Sequence, residues 1–292
     1  MADRQWIGTT FGNGWMHRVL IRVLRFIDVR FFYVFSDIFI VPFCVLFNHS
    51  GKIAFSFYRH RLHNNLLKSC WLTYRNHCLF SQVVIDKFAM YAGKGFDVTI
   101  SGTDHFKRLE ALDDGFIQLS SHIGNYEIAG YSLNSTKKGI HAIVYPSEKE
   151  SVMNNRNSMF NRTNVSMIAL KEDMSHLFEI DEALSRGDVI SFPADRHVEG
   201  TRCVTVPFLG EDAKFPQGPF SVAAMHGVEV LAVNVMKAGL KKYIIYLTPL
   251  SYDTNEPRKV QIQELCRKYV DELEHMIGKY PTQWFNFYDF WA

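Results

Sequence analysis

Residues 115–130, GFIQLSSHIGNYEIAG, decide how this chain folds. The first seven are a short apolar run of strand character, closed by two serines. From Gly124 the pattern GNYEIAGYSL, 124–133, reads as the start of a helix. A strand that passes directly into a helix is the repeating step of an α/β layer fold. His122 falls in the turn between them. Open α/β sheets bind ligands beyond the carboxyl ends of their strands, so this strand carries His122 to the edge where chemistry sits. Glu127 follows five positions later. On an ideal helix two such residues diverge by about 140°. They can meet only if His122 lies in the turn and Glu127 in the first helical turns, with Gly124 permitting the backbone such a turn needs.

The same alternation continues on both sides. Strand-like runs occupy 96–102, 141–146, 165–170, 188–194, 229–237 and 241–250, with helical patterns at 105–112, 175–186 and 217–226. Gly115 and Gly187 stand where helices should stop. A last helix over about 258–279 carries Val260, Leu265, Tyr269, Leu273, Met276 and Ile277 on one stripe. The expected fold is α/β, with a mixed, largely parallel central sheet flanked by helices. It forms a catalytic domain over 96–292.

Residues 1–95 have another texture. Helical spacing of Val19, Leu20, Val23, Leu24 and Ile27, with Arg18, Arg22 and Arg25 largely opposite, predicts a basic amphipathic helix. FFYVFSDIFIVPFCVLF, 31–47, is nearly all apolar but is broken by Asp37 and Pro42. An acid inside lipid is costly. The run therefore reads as a shallow or re-entrant membrane segment rather than a clean span; the alternative is a buried core helix kinked at Pro42. Residues 55–80 read as a further basic, aromatic-rich helical region. The first hundred residues hold 12 Lys/Arg against 5 Asp/Glu, although the whole chain is only +2. An N-terminal helical, membrane-associated region attracted to an anionic surface follows.

Several classes of function are disfavoured. Cys44, Cys70, Cys78, Cys203 and Cys266 match no zinc spacing, and their apolar surroundings predict buried free thiols in a reducing compartment. His60 and His63 lack a third ligand and are flanked by arginine, so no metal is expected. The basic residues are dispersed among long apolar runs, which disfavours nucleic acid. G-x-S-x-G, P-loop and G-x-G-x-x-G patterns are absent. No secretory signal peptide is expected from the first fifteen residues.

By spacing alone, a capping or core histidine accounts for His122 better than a catalytic one, since H-x-x-x-x-E arises often by chance. The catalytic alternative is a histidine that deprotonates an alcohol or amine, with Glu127 fixing its tautomer. The deprotonated acceptor could then attack an acyl thioester directly, with backbone N–H groups steadying the oxyanion.

Three blocks in order weigh against chance. SSHIGNYEIAG resembles the His-x-x-x-x-Asp/Glu block of the lysophospholipid acyltransferase superfamily, and is closest to the bacterial lipid A late acyltransferases. PADRHVEGTRCVTVPFLGEDAKFPQGPFSVAAMHG, 193–227, is similar to that family's downstream block: an acid, a β segment with a Phe-x-Gly turn, then Pro-x-Gly-Pro entering a helix. YPTQWFNFYDFW, 280–291, resembles its Pro-x-Gln-Trp-Phe ending.

The resemblance implies acyl transfer from an acyl-carrier-protein or coenzyme A thioester to a lipid acceptor, at the cytoplasmic face of a bacterial inner membrane. It implies acyl carrier protein as a partner and no cofactor beyond that co-substrate. His122 becomes the general base and Glu127 its partner. Arg156 or Arg162 occupies the region of an arginine that binds substrate phosphate. Asp195 matches the acid of an Asp-Gln pair in which Arg196 replaces Gln, and Gly218 and Pro219 shape the next turn. Trp284 and Phe285 read as packing anchors. A thioesterase or lipid hydrolase, or an inactive membrane-binding scaffold, are the alternatives.

Overall fold

The computed structural model describes residues 14–133, 135–144, 164–171, 173–197 and 200–291. Nine strands and ten α-helices are assigned among them. The strands are β1 Asp97–Ser101, β2 Phe116–Ser120, β3 Ile140–Val144, β4 Val165–Ala169, β5 Val189–Pro193, β6 Cys203–Phe208, β7 Glu211–Pro216, β8 Val230–Lys237 and β9 Lys242–Leu250. The helices are α1 Gly14–Phe26, α2 Val29–Phe35, α3 Val41–Phe47, α4 His49–Ser56, α5 Leu66–Tyr91, α6 Thr103–Ala111, α7 Glu127–Ser132, α8 His176–Ser185, α9 Gln217–His226 and α10 Arg258–Lys279.

Seven strands make one sheet in the order β1-β9-β8-β2-β5-β3-β4. β2 pairs in parallel with both β5 and β8, and β3 with β4 and β5. Only β8–β9 is antiparallel. β6 and β7 form a separate hairpin. β2 is buried at all five positions, as a central parallel strand should be. Its alternation sorts the two layers. Ile117 and Leu119 join the core formed with α8, α9 and α10, which includes Ala183, Phe220 and Leu265. Phe116 faces the other way, towards Phe106 and Leu109 of α6 and Ile128 of α7.

The expected strands and helices of the sheet region are all present, with ends shifted by a few residues. The helix expected over 124–133 is shorter, Glu127–Ser132, because the backbone N–H groups of His122, Gly124 and Asn125 are drawn to Asp195, to the Gln283 carbonyl and to β8. Gly187 closes α8 at φ +83°, and a side chain there would strike the Asp113 carbonyl. In the β6–β7 hairpin both turn residues have positive φ, Leu209 and Gly210. Such a turn matches the strand twist but strains a leucine. The Glu274 carboxylate receives the Leu209 N–H at 2.6 Å and holds it there.

The amino-terminal region is a layer of helices laid on α5. Helix α1 buries His17, Ile21 and Leu24, so the buried stripe is rotated from the expected one and Val19 and Ile27 are exposed. Arg18, Arg22 and Arg25 are exposed as well. Residues 29–47 are continuous helix, but Ser36–Ile40 forms a wide π turn, with the Val41 N–H reaching back to the Ser36 carbonyl. That turn precedes Pro42, whose missing N–H would otherwise interrupt the ladder. Only 22% of the apolar window in this run is buried, so it is not a core helix. Asp37 turns inward, taking bonds from Gln82 at 3.2 Å and, through its carbonyl, from Tyr74 at 2.8 Å. The outward face keeps Phe31, Phe35, Phe39, Phe43, Leu46 and Phe47.

Two other expectations are corrected. Residues 55–80 are not one helical region. The chain breaks at 62–65, and Asn65 caps α5 by accepting the Lys68 N–H at 2.9 Å. Of the five free thiols only Cys78 and Cys266 are buried, and Cys70 is exposed on α5.

A buried polar cluster ties these layers together. Asp86 of α5 takes bonds from Tyr33 of α2, Tyr243 of β9 and Lys237 of β8. The Lys237 ammonium also bonds the Tyr33 hydroxyl at 3.2 Å and the Leu240 carbonyl at 3.1 Å. Asp86 and Lys237 are almost wholly buried. Burial pushes the Asp86 carboxyl up and the Lys237 ammonium down, despite their mutual attraction.

Candidate active site

The site is built where β2 ends. Beyond Ser120 the chain turns sharply, and its backbone is tied to the neighbouring segments. The Ala194 N–H bonds the Ser120 carbonyl at 2.9 Å, extending the β2–β5 ladder. The Tyr269 hydroxyl of α10 bonds the same carbonyl at 2.9 Å. Gly124 adopts φ +63°, and its N–H donates to the Gln283 carbonyl at 2.8 Å. A Cβ there would sit 1.9 Å from the Val235 carbonyl oxygen. No side chain fits, so the glycine is required by both conformation and space. The Asn125 N–H donates to that same Val235 carbonyl at 2.8 Å.

The carboxyl-terminal segment lies along this turn as a strap. Ile123 pairs with Trp284 in an antiparallel bridge, and the Phe285 N–H donates to the His122 carbonyl at 3.1 Å. The Gln283 amide receives the Lys237 N–H at 2.8 Å and donates to the Lys237 carbonyl at 2.9 Å, as a strand would. The Asn76 amide of α5 holds the carbonyls of Thr282 and Trp284, each at 3.1 Å. Trp284 and Phe285 are buried, so they are packing anchors that also fix the His122 backbone.

His122 is held by Asp195, two residues beyond the end of β5. One carboxylate oxygen accepts the His122 backbone N–H at 2.8 Å, and the other lies 2.8 Å from ring Nδ1. This two-point grip fixes the ring plane and turns Nε2 away from Asp195. Burial pushes the Asp195 carboxyl up, but the charge and hydrogen bonds of His122, with the nearby Arg196 charge, outweigh it. It stays below the usual carboxylate range. The Tyr126 ring stands edge-on to the imidazole, with centroids 5.5 Å apart.

Glu127 opens α7 and is buried, in an ion pair with Lys87 of α5 and accepting the Tyr91 hydroxyl at 3.1 Å. The carboxylate at Nδ1 is therefore Asp195, the acid that the resemblance pairs with position 196. Glu127, read in the sequence as the holder of the ring, is itself held by α5. The N–H groups of His122, Gly124 and Asn125, candidates for steadying an oxyanion, are committed to protein acceptors.

Two cavities meet at His122, Tyr126 and Glu127. The first, about 130 Å³, runs between α7 and the sheet. Its walls are largely apolar, including Leu133, Ile140, Ala142, Val144, Val165 and Val233, with Gln118, Ser120 and Ser191 on the sheet side. The second, about 320 Å³, opens between α5 and the carboxyl-terminal strap. It is lined by Phe80, Phe285 and Phe287 and carries the cations Lys87 and Arg196. Arg196 donates to the Phe285 carbonyl at 2.9 Å and lies over the Tyr288 ring.

The structure thus brings His122, Glu127, Asp195 and Arg196 together. Gly218 and Pro219 sit in the first turn of α9 and line neither cavity. Arg156 and Arg162 lie outside the described residues. Sequence reasoning missed Lys87, Tyr91, Tyr126 and Gln283. A signal for the first existed: the adjacent charges Asp86 and Lys87 interrupt the otherwise apolar end of a helix, VVIDKFAMY.

Comparison with known proteins places this site in a family. The family described as bacterial lipid A biosynthesis acyltransferase matches residues 91–292. The chain belongs to that family, and it is a lipid acyltransferase. Among solved structures it is similar to the 1-acyl-sn-glycerophosphate (LPA) acyltransferase from Thermotoga maritima, at 20% identity and a TM-score of 0.40, covering 92% of this chain and 99% of that one. No curated protein sequence matches it.

Proposed function

We propose that this acyltransferase moves a fatty acyl chain from an acyl-carrier-protein or coenzyme A thioester to a hydroxyl or amine of a lipid A precursor-like acceptor. His122 Nε2 takes the acceptor proton. The acceptor oxygen or nitrogen forms its bond to the thioester carbonyl carbon, the carbon–sulfur bond breaks, and the thiol leaves with a proton returned from His122. The observation that carries this reading is the two-point hold of Asp195 on His122, beside two cavities of different character. A histidine gripped through Nδ1 and its backbone has one tautomer and one direction in which to work.

Asp195 is the orienting acid in this account. Glu127, lining both cavities, adds negative charge that favours the imidazolium formed in the step. The apolar cavity takes the donor chain. The cavity bearing Lys87 and Arg196 takes the polar, anionic end of a substrate. Arg156 and Arg162 remain proposed phosphate ligands, and Gly218 and Pro219 proposed contributors to the acceptor side, from the family pattern alone. No metal or organic cofactor is required by this chemistry. The chain works at the cytoplasmic face of the inner membrane, with the exposed apolar face of 29–47 in the lipid interface and acyl carrier protein as its soluble partner.

The test is transfer by purified protein from defined thioesters, with and without lipid acceptor. Thioester consumption should depend on the acceptor, and His122→Ala should abolish it. Consumption at equal rates without acceptor would make the protein a thioesterase.

A further inference from the structure

We propose that Gln118 makes the apolar cavity selective for a donor acyl chain that carries an oxygen substituent, whose oxygen accepts a hydrogen bond from the Gln118 amide. The inference rests on the reading that this cavity takes the donor chain.

The argument begins with an anomaly in the central strand. FIQLS places Phe116, Gln118 and Ser120 on one face of β2. Phe116 is core, and Ser120 satisfies itself by donating to the Phe192 carbonyl at 3.3 Å. Gln118 is 4% exposed, yet its Nε2 has no hydrogen-bond partner among the described residues. Buried amides are almost always satisfied, so an unpaired one needs a reason. The reason lies in what it faces. Gln118 lines the cavity that opens at His122. Its register partner on β5 is Ser191, which lines the same cavity, so two polar side chains stand level on adjacent strands in a largely apolar wall. Ser191 is in turn level with Ala142 of β3, which has no polar atom to offer.

Among the described residues the lining holds no lysine or arginine that would offer an anionic group a counter-charge. The chemistry that fits is a neutral hydrocarbon chain with one hydroxyl or carbonyl oxygen. Gln118 lies four residues before His122, about 13 Å along an extended chain. The substituent therefore sits away from the reacting carbonyl rather than on its neighbour. A plain alkyl chain would leave the buried amide unpaired, which is how a site rejects an analogue lacking the group it was built to bind.

The test uses the full-length protein, one lipid acceptor, and thioesters of equal chain length that are unsubstituted, 3-hydroxylated or hydroxylated or oxidised to the ketone further along. Rates in competition give kcat/KM ratios. Wild type should prefer a chain oxygenated further along over both the unsubstituted and the 3-hydroxylated chain by about 10-fold or more, the scale of one buried hydrogen bond. Gln118→Leu and Gln118→Met, which keep the volume without the amide, should lose that preference, through slower use of the oxygenated chain, faster use of the unsubstituted chain, or both. Mass spectrometry of wild-type products from mixed donors gives the same answer without any variant. A wild type that prefers the unsubstituted chain, or a ratio unmoved in both variants, overturns the proposal and leaves Gln118 satisfied by a buried water. Absence of transfer from every thioester would instead overturn the parent reading, and this inference with it.

Discussion

At the scale of single residues, the site depends on one buried acid. Asp195 contacts His122 twice, and its carboxyl is held below the usual range, so it is anionic at neutral pH. Asp195→Asn should keep the backbone bond but lose the charge and the tautomer preference. We expect kcat/KM to fall about 1,000-fold with little change in KM, measured by thioester transfer. The stability consequence has a definite sign. A carboxyl depressed in the folded state stabilises it above the unfolded pKa, ordinarily 3.8, and that contribution is lost as pH falls through the folded value. The wild-type advantage over Asp195→Asn in urea unfolding should therefore be full at pH 7 and shrink below about pH 4. An advantage that grew on acidification would contradict the assignment. Gly124→Ala should fail to give folded, active protein, since its Cβ would lie 1.9 Å from a carbonyl oxygen. His122 and Gly124 were legible in the sequence because strand, turn and helix signals are local. The Asp195 contact was not, because 73 residues of separation carry no spacing rule.

At the scale of elements, the turn that carries His122 is positioned by segments remote in sequence. Helix α5 sends Lys87 to Glu127 and its neighbour Asp86 into the buried cluster with Lys237 and Tyr243; the Asn125 amide lies 3.4 Å from the Tyr243 hydroxyl. Removing one partner of a buried pair leaves the other uncompensated. Lys237→Met should cost about 3–5 kcal/mol in chemical denaturation, and adding Asp86→Asn should recover part of it. If the double variant lost as much again, the two would not be a pair. Gln283→Ala removes two bonds that clip the strap to β8, and should cost about 2–3 kcal/mol. Periodicity exposed the seven sheet strands and the helices between them, because each strand's apolar run is bounded by turn residues. It did not expose the break at 62–65, since LHNN interrupts the helix by capping geometry within a continuously basic, aromatic stretch. Nor did periodicity show that PTQWF acts as a strap, because its partners are backbone groups of a turn 160 residues earlier.

At the scale of the molecule, the exposed apolar side chains are concentrated in one layer of the chain. Phe31, Phe35, Phe39, Phe43 and Phe47 face outward along 29–47, with Trp15 and Phe26 on α1 and Leu67 and Trp71 on α5. Asp37, the one charge within the phenylalanine-rich part of that run, is turned inward onto Gln82. The arginines Arg18, Arg22 and Arg25 stand exposed on α1. An outward face stripped of charge, on elements that also bear exposed arginines, suits a lipid interface with anionic headgroups better than it suits water. Two separable contributions follow. Phe39→Asp with Phe43→Asp should lower partition into phosphatidylcholine and phosphatidylglycerol vesicles alike, by 10-fold or more at roughly 1.5–3 kcal/mol for each buried phenylalanine. Replacing Arg18, Arg22 and Arg25 with Ala should weaken binding to phosphatidylglycerol vesicles and leave phosphatidylcholine binding nearly unchanged, at about 1 kcal/mol per charge and with loss of salt dependence. Neither set lines a cavity at His122, so turnover of a detergent-dispersed acceptor should persist in both. Co-sedimentation at two salt concentrations reads each contribution. Vesicle binding indifferent to both sets would remove the lipid interface from this face and leave its phenylalanines to a protein partner.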